Sequence, residues 1–484
     1  MTALRSILVL AGLATLLNAC AVGPRYRLPS TPAQGHGAFV SSTPAAAVAQ
    51  PLPAGWWRLY NDPVLDRLVQ RALVENQDLK VAAANLAYAQ ALLSEARAGR
   101  YPSTDLTAGP SYGRTSTQVA AGQPATLTWA ADFTAAYQVD LFGRVKRTIE
   151  AAAASADAVA ATEDAVRVTV AAQTAGAYAN ICGYGHQIDV ARRSVLVVQQ
   201  AYDIAVRERD AGAISDFEVE REAALLDQAK AAIAPLDGQR RSALFTLAAL
   251  VGVTPREVPA DAAQCVTPPI LTQPLPVGDG AALLRRRPDV RESERQLAAA
   301  TARIGVATAD LYPTVTLSGS VGSAATTFSG LFTRSALSYG VAGNTPATQP
   351  LISWSFPNIS VARAHIRETT AQASAALASF DGTVLTALKE TEQALAAYGA
   401  ELDHHAELAA ARDHANAALR LADIQYKAGV SSFLDLLTTQ QTAVSAEQAV
   451  AASDQALSTD QVAVFQALGG GWENAPKVIA PPIG

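Results

Sequence analysis

The segment QDLKVAAANLAYAQALLSEARAGRYP, Gln77–Pro102, has a counterpart in PDVRESERQLAAATARIGVATADLYP, Pro288–Pro313. The two segments align without a gap and end on the same Tyr-Pro pair. A second correspondence pairs RDAGAIS at Arg209–Ser215 with YKAGVSS at Tyr426–Ser432. Because the similarity recurs in the same order, we infer a tandem duplication with about 190 residues per copy. The identities in the first pair are Asp78/Asp289, Leu86/Leu297, Ala87/Ala298, Ala89/Ala300, Ala91/Ala302, Ala96/Ala307, Tyr101/Tyr312 and Pro102/Pro313.

The hydrophobic pattern changes from a helical period to a period of two after each Tyr-Pro pair, where the proline ends the helix. The segment Leu127–Gln138 alternates apolar with small or polar residues, which predicts a strand with one apolar face. Its predicted hairpin partner is Ser103–Tyr112. In the second copy Val315–Val321 alternates in the same way, with Leu351–Phe356 as its returning strand. The chain therefore predicts four strands. The apolar positions of the first strand are Leu127, Trp129, Phe133 and Tyr137.

A long helical stretch without proline follows each hairpin, at Arg144–Ala211 and Ser360–Ala428. At 1.5 Å per residue, each would be about 100 Å long. Such a helix is too long for the core of one ordinary globular domain. We therefore expect an elongated, mostly helical protein.

Each long helix is predicted to end at an Ala-Gly pair, Ala211–Gly212 or Ala428–Gly429, because glycine adopts the left-handed conformation that terminates helices. Serine follows each pair and is favoured at the first position of a new helix. We therefore predict two helical hairpins. Their returning helices are Asp216–Val251, capped by Ser215, and Phe433–Leu468, capped by Ser432.

The composition excludes several classes of function. The chain has 484 residues and a net charge of −6, which argues against a nucleic-acid partner. Apart from the N-terminus, no apolar run is long enough for a transmembrane helix, so a spanning part is expected to be a closed β-barrel. We find no catalytic constellation, cofactor motif or metal site. DHHAEL at Asp403–Leu408, with His414, is interpreted as a solvated helix face, and the glycines at Gly469–Gly471 as a helix end.

The N-terminus combines Arg5 with an apolar run, Ile7–Leu17, which predicts a signal peptide. Ala19 followed by Cys20 is similar to a bacterial lipobox, so Cys20 is the expected site of lipid attachment. Ala21 differs from the aspartate that retains lipoproteins in the inner membrane. The alternative is a cleaved signal with an incidental cysteine.

Two further cysteines, Cys182 and Cys265, are separated by 83 residues. In an exported chain we expect them to form a disulfide rather than a metal or catalytic site. Closing such a loop would stabilise the fold by about 4–5 kcal/mol in the chain-entropy model.

Four strands cannot close a barrel, and open sheet edges are not tolerated in lipid. The chain is therefore expected to oligomerise. Two copies would supply about eight strands, whose side chains fill the interior, whereas three would supply about twelve and leave a channel. We expect a homotrimer.

Several motifs, in this order and spacing, resemble the outer-membrane efflux proteins, the TolC-like family, and specifically its lipoprotein, NodT-type subgroup that serves resistance–nodulation–division pumps. The resemblance covers nearly the whole mature chain. The motifs are CAVGPRYRLP at Cys20–Pro29, WWRLYNDPVLDRLV at Trp56–Val69, QVDLFGRVKR at Gln138–Arg147, LLRRRPDVRESERQL at Leu283–Leu297, LYP at Leu311–Pro313, YKAGVSSFLDLL at Tyr426–Leu437 and ALGGGW at Ala467–Trp472.

The resemblance implies a trimeric β-barrel in the outer membrane, continuous with a long α-helical barrel that crosses the periplasm. The helical-hairpin tips would dock on a periplasmic adaptor (membrane fusion) protein coupled to an inner-membrane resistance–nodulation–division pump. The expected docking residues are Ala211, Gly212, Ser215, Ala428, Gly429 and Ser432. Leu434 matches a position that narrows the pore, and Asp435 is the candidate gate carboxylate, since Thr438 stands where some members have one.

We therefore expect a passive exit duct for small molecules such as drugs, not an enzyme, located in the outer membrane of a Gram-negative bacterium. The alternatives are a protein-secretion duct of the same fold and a lipid-anchored coiled-coil scaffold without a pore. The expected division is a signal peptide (1–19), a lipid-anchored arm (20–60), repeat 1 (61–252), a Pro-rich linker (253–287), repeat 2 (288–470) and a flexible tail (471–484).

Overall fold

The structure, a computed structural model, describes residues 21–114, 119–341 and 358–479. The predicted signal peptide, Cys20 and the predicted strand Leu351–Phe356 lie outside the described residues. The described chain forms two compact units. Unit 1 falls within Met1–Pro29, Tyr88–Val159 and Ser293–Phe380, and unit 2 within Ser30–Ala87, Ala160–Glu292 and Asp381–Gly484.

Helices make up most of the described chain, and the longest helix of each copy has a similar length, 67 and 69 residues. In the first copy they are α1 (Pro63–Glu75), α2 (Gln77–Ala98), α3 (Arg144–Asp210), α4 (Asp216–Ala231) and α5 (Ile233–Leu250). The short α6 (Ala260–Ala263) and α7 (Gly280–Arg286) follow. The second copy has α8 (Pro288–Ala309), α9 (Ile359–Lys427) and α10 (Phe433–Ala467). None of the helices in the described ranges has the length and apolarity needed to cross a membrane.

Short polar signals determine where these helices begin and end. Asp62 caps α1, and its carboxylate accepts hydrogen bonds from the backbone N–H groups of Val64 and Leu65, at 2.8 and 3.1 Å. Pro63 occupies the first helical position, where its missing N–H costs nothing. The predicted bounds of the two long helices are confirmed to within one residue at each end.

A four-stranded antiparallel sheet lies within unit 1, in the order β2 (Ser103–Gly113), β3 (Thr126–Val139), β5 (Val315–Ala325) and β6 (Leu337–Val341). The alternation predicted for β3 and β5 is confirmed by their pairing. One row of paired residues runs across all four strands: Leu106, Phe133, Val321 and Tyr339. These apolar side chains point to one face and are 72, 46, 50 and 81% exposed.

The neighbouring row runs through Thr107, Asp132, Gly322 and Ser338, which are small or polar. Because successive side chains of a strand point to opposite faces, this row belongs to the other side of the sheet. A Cβ atom at Gly322 would collide with the carboxylate of Asp132. The glycine therefore makes room for a charged side chain on the polar face.

The fourth strand of the sheet is Leu337–Val341, which pairs with β5. The returning strand predicted at Leu351–Phe356 lies outside the described residues and stays a prediction. A 3-10 turn, Ser329–Phe332, reverses the chain shortly after β5. The N–H of Gly330 donates to the carbonyl of Thr327 and the N–H of Thr333 to that of Gly330, both at 3.1 Å, and these bonds hold the turn.

The prediction of one continuous returning helix over Asp216–Val251 is wrong. The structure divides it at Ala232 into α4 and α5. Pro235 explains the break, because it has no N–H to donate to the carbonyl of Ala231. In the second copy α10 contains no proline and runs unbroken for 35 residues.

The core of unit 2 is built around aromatic residues from opposite ends of the chain. Trp56 is fully buried, and its ring stacks on Phe465 of α10 with 4.7 Å between centroids. A parallel bridge between β1 (Ala47–Val48) and β4 (Leu275–Pro276) joins the N-terminal arm to the linker. Residues of the expected arm therefore form part of this core.

The linker is also attached to α3. Cys182 of α3 is buried and forms a disulfide with Cys265, with 4.7 Å between their Cα atoms. Arg240 of α5 donates hydrogen bonds to the backbone carbonyls of Ala263 and Cys265, both at 2.8 Å. The linker is thus attached near Cys265 to both α3 and α5.

Candidate functional site

The candidate site lies in unit 2 and is called the tip below. It consists of the ends of α3 and α9, the turns Ala211–Ser215 and Ala428–Ser432, and the first turns of α4 and α10. Four of the six expected docking residues end or begin a helix there: Gly212, Gly429, Ser215 and Ser432.

Both glycines of the turns have a left-handed backbone, with φ of 71° at Gly212 and 72° at Gly429. The N–H of Ala213 donates to the carbonyl of Glu208 at 2.8 Å, and the N–H of Val430 to that of Gln425 at 2.9 Å. These bonds to the fifth residue back satisfy carbonyls that the helix leaves free. The predicted helix ends are confirmed.

Capping boxes begin both returning helices, so the predicted N-cap positions of Ser215 and Ser432 are confirmed. The N–H of Ser215 donates to the carboxylate of Glu218 at 2.7 Å. The hydroxyl and N–H of Ser432 donate to the carboxylate of Asp435, at 2.6 and 3.1 Å. These two hydrogen bonds lower the pKa of Asp435. Asp435, the candidate gate carboxylate, therefore caps the N-terminus of its own helix, α10.

An apolar cluster fills the interior of the tip. Ala205, Val219 and Phe433 are buried, and the half-buried side chains packed around them are Tyr202, Val206, Ile214 and Tyr426. The rings of Tyr426 and Phe433 are 5.6 Å apart. The two helical hairpins therefore share one small core at this end.

The hydroxyl of Tyr426 also donates a hydrogen bond to the carboxylate of Glu208. Burial, and next this hydrogen bond, raise the pKa of Tyr426, so the phenol stays protonated over the working pH range. The bond joins the last turn of α9 to the last turn of α3.

A cavity of about 1010 Å³ opens beside this cluster. Residues of both turns line it, including Ile214, Gly429 and Ser432. The structure thus brings the two predicted turns to one site, although they lie in different copies of the repeat.

The outer surface of the tip mixes apolar and charged side chains. Phe217, Val430 and Leu434 are exposed. Arg209 pairs with Asp210 at 2.8 Å and with Asp216 at 3.4 Å, and the hydrogen bonds to these carboxylates raise its pKa. Exposed apolar side chains surrounded by charged ones are typical of surfaces that bind another protein.

Sequence reasoning missed a buried acid close to the tip. Glu222 of α4 is fully buried, and neither carboxylate oxygen has a hydrogen-bond partner in the described structure. Burial raises its pKa to about 7. The carboxylate of Glu222 therefore gains or loses its charge near neutral pH. Nothing in the sequence indicated this, because α4 contains several other charged residues.

The interpretation of Asp403–Leu408 as a solvated face is wrong for His405. His404 is exposed, but His405 bonds through Nε2 to Asp454 of α10 at 2.8 Å. The Nε2 atom of His186, in α3, lies 3.5 Å from the other oxygen of Asp454. No group of three or more potential ligands in the described residues could hold a metal ion.

Comparisons with known proteins agree on one kind of protein. The family model described as outer membrane efflux protein matches residues 68–253 and 281–470. Nodulation protein T of Rhizobium leguminosarum bv. viciae is 31% identical, over 98% of this chain and 95% of its own. The probable efflux pump outer membrane protein TtgC of Pseudomonas putida is 29% identical, over 97% of this chain and 96% of its own. The outer-membrane channel OprN superposes with a TM-score of 0.86 and 33% identity, covering 94% of this chain and 100% of its own.

Proposed function

The chain belongs to the outer membrane efflux protein family, and from this premise we propose that it is the exit duct of a tripartite efflux system. It is an outer-membrane protein related to efflux channels rather than to enzymes. The duct conducts small molecules such as drugs passively, from a periplasmic adaptor and an inner-membrane pump to the outside. TtgC, whose name places it in an efflux pump, supports this assignment over nearly the whole chain.

The observation that carries the proposal is the two-faced sheet of unit 1. Its apolar row, Leu106 to Tyr339, is exposed in the single chain, whereas the row on the opposite face consists of small and polar residues. In water such a face would be unfavourable by about 25 cal/mol per Å² of apolar area. In the outer membrane the same face contacts lipid, and the polar face borders water.

We propose that three copies assemble around one channel. In the described sheet β2 and β6 are edge strands, with no partner on their outer sides. Lipid cannot satisfy the hydrogen-bonding groups of an open edge. Three sheets joined edge to edge give about twelve strands, enough for an open lumen, whereas about eight would be filled by side chains.

The tip is the proposed docking surface for the adaptor. Phe217 and Val430 supply exposed apolar area beside the hydrogen-bonded turns of Gly212 and Gly429. Leu434, exposed on the first turn of α10, is the proposed pore-narrowing residue. The bonding of Asp435 to Ser432 favours a capping role over a gate for this carboxylate.

We also propose that Cys20 carries the lipid anchor and that the chain is a tandem duplication. Two separate matches to one family model support the duplication. The equal lengths of α2 and α8, 22 residues each, support it as well. Mass spectrometry of the mature N-terminal peptide tests the anchor, with an acylated Cys20 expected.

Reconstitution in planar bilayers tests the duct. The purified full chain is expected to form heat-resistant trimers and stepwise ion conductance, and its deletion to increase drug susceptibility. Monomers that conduct nothing would support a scaffold instead. If the deletion strain keeps its drug susceptibility but no longer secretes a protein, a protein-secretion duct would be supported.

Photo-crosslinking tests the docking surface. A crosslinking side chain at Ser215 or Ser432 is expected to capture a periplasmic adaptor. The control position is Ser242, an exposed serine in α5, well removed in sequence from both turns. Equal capture from all three positions would contradict docking at the tip.

A further inference from the structure

Three chain connections meet at one end of the sheet in unit 1. β2 begins at Ser103, β3 ends at Val139 and β5 begins at Val315. The pairings of Ser103 with Ala136 and of Val139 with Val315 place these ends side by side. Helices α2, α3 and α8 therefore join the sheet at the same level.

Aromatic rings mark this level. Tyr101 is 73% exposed, and Phe142 stacks on the half-exposed Tyr312 with 4.6 Å between ring centroids. Tyrosine favours the boundary between lipid and water, because its ring is apolar and its hydroxyl is polar.

The first described residues of the chain are hydrogen-bonded at this same end of the sheet. The N–H of Val22 donates to the carbonyl of Phe142 at 3.1 Å, and Arg147 donates to the carbonyls of Val22 and Gly23 at 3.1 and 3.2 Å. Ala21 fills the space where a Cβ atom of Gly143 would stand. Because Cys20 precedes Ala21 directly, acyl chains on Cys20 would enter the bilayer here.

Two cavities flank Ala21, and both carry basic side chains. The first, about 430 Å³, is lined by Arg100 and Lys146, and the second, about 580 Å³, by Arg25, Lys146 and Arg295. Arg25, Arg100 and Lys146 are exposed. None of these three cations forms a salt bridge within the described structure.

Most carboxylates near these three cations form hydrogen bonds or salt bridges with other groups. Asp140 accepts from the N–H groups of Val145 and Lys146, at 3.1 and 2.8 Å, at the start of α3. Glu150 pairs with Arg147 at 2.8 Å, and Glu294 pairs with Arg295. Asp157 is the further acid lining the second cavity. Asp140 and Asp157 thus stand against Arg25, Arg100 and Lys146, which leaves an excess of positive charge in a chain of net charge −6.

We propose that this basic cleft, defined by Arg25, Arg100 and Lys146, binds the phosphate of an anionic phospholipid headgroup in the leaflet that receives the acyl chains of Cys20. The inference rests on the proposed function, which puts the sheet in the membrane. Clustered Lys and Arg side chains at a membrane surface attract anionic lipids. The aromatic rings and the adjacent anchor site favour a lipid over free phosphate as the occupant.

Lipid binding to the full-length protein in neutral detergent tests the proposal, with phosphatidylglycerol and phosphatidylcholine as probes. We expect at least tenfold tighter binding of phosphatidylglycerol. The combined variant Arg25→Gln, Arg100→Gln, Lys146→Gln is expected to abolish this preference. A matched control, Arg71→Gln, Arg256→Gln, Lys389→Gln, removes the same charge from exposed positions of unit 2 and is expected to retain it.

Several outcomes would overturn the proposal. They are equal affinity for the two lipids, an unchanged preference in the cleft variant, an equal loss in the control, and displacement of the lipid by millimolar inorganic phosphate. Lys146→Gln alone, at an exposed site, is expected to lower the preference at least twofold if the combined variant does not fold. Conductance of the same preparation separates the two proposals: selective binding without conductance contradicts only the duct, and conductance without selectivity contradicts only the lipid site.

Discussion

The hydroxyl of Tyr426, in the last turn of α9, donates a hydrogen bond to the carboxylate of Glu208, in the last turn of α3. The two residues belong to different copies of the repeat. Apart from the shared apolar cluster, this bond is a direct polar link between the two helical hairpins at the tip.

Tyr426→Phe is expected to loosen the tip while keeping its apolar packing. A hydrogen bond to a charged group contributes about 1.5–3 kcal/mol, and partial exposure reduces this to about 1 kcal/mol. Hydrogen exchange at the ends of α3 and α9 should accelerate several-fold, and conductance should rise if the tip limits passage. Tyr88→Phe, at an exposed tyrosine of α2, is the control and should change neither. Unaltered exchange in Tyr426→Phe would show that the link carries no stability.

Gly212→Ala and Gly429→Ala are expected to destabilise the turns by about 1 kcal/mol each. No atom lies within 4 Å of a Cβ placed at either residue, so the cost comes from the left-handed backbone alone. Protease cleavage in the turns reports the change. Gly399→Ala adds the same methyl group within α9, also without a neighbour, and should stabilise the helix slightly. Equal effects at all three glycines would rule out the strain explanation.

Glu222 should make the stability of α4 dependent on pH. Burial raises its pKa from 4.5 to about 7, so the unfolded chain releases a proton more readily than the folded one. Stability is therefore lost as the pH rises from about 4.5 to about 7, by up to about 3 kcal/mol, and is constant above.

Hydrogen exchange of α4 at pH 5 and pH 8, corrected for the intrinsic rates, measures this effect. Glu222→Gln is expected to remove the difference and to protect α4 better at pH 8. Glu220→Gln, at an exposed acid of the same helix, should behave like the unmodified chain. A pH dependence that survives in Glu222→Gln would assign it to another group.

Removing the disulfide by Cys182→Ala and Cys265→Ala should free the linker. Loss of such a bond costs about 2–5 kcal/mol. Proteolysis within residues 253–287 is expected to accelerate, and dithiothreitol should reproduce the effect in the unmodified chain but not in the variant. Free thiols at full stoichiometry in the unreduced, exported protein would contradict the bond.

The long helices were predictable because their limits are local. Glycines with positive φ end them, and Ser215 and Ser432 start the returning helices with their own side chains and neighbours. The alternation of β3 was equally visible. By contrast, the described part of β6, Leu337–Val341, is too short for its alternation to be distinguished from a loop.

The site was predictable only in part. The positions of its glycines and serines follow from turn chemistry, which a sequence displays. The bond between Tyr426 and Glu208 joins residues that are 218 positions apart, and the burial of Glu222 depends on packing by other helices. Neither leaves a periodic signal. The break near Pro235, by contrast, has a local cause that the sequence displays.

That break distinguishes the two halves of an otherwise duplicated chain. Each chain has one returning arm divided at Ala232 and one continuous arm, α10. If three copies assemble as proposed, the six returning arms would alternate between a divided and a continuous form. The helical wall would then have threefold rather than sixfold symmetry.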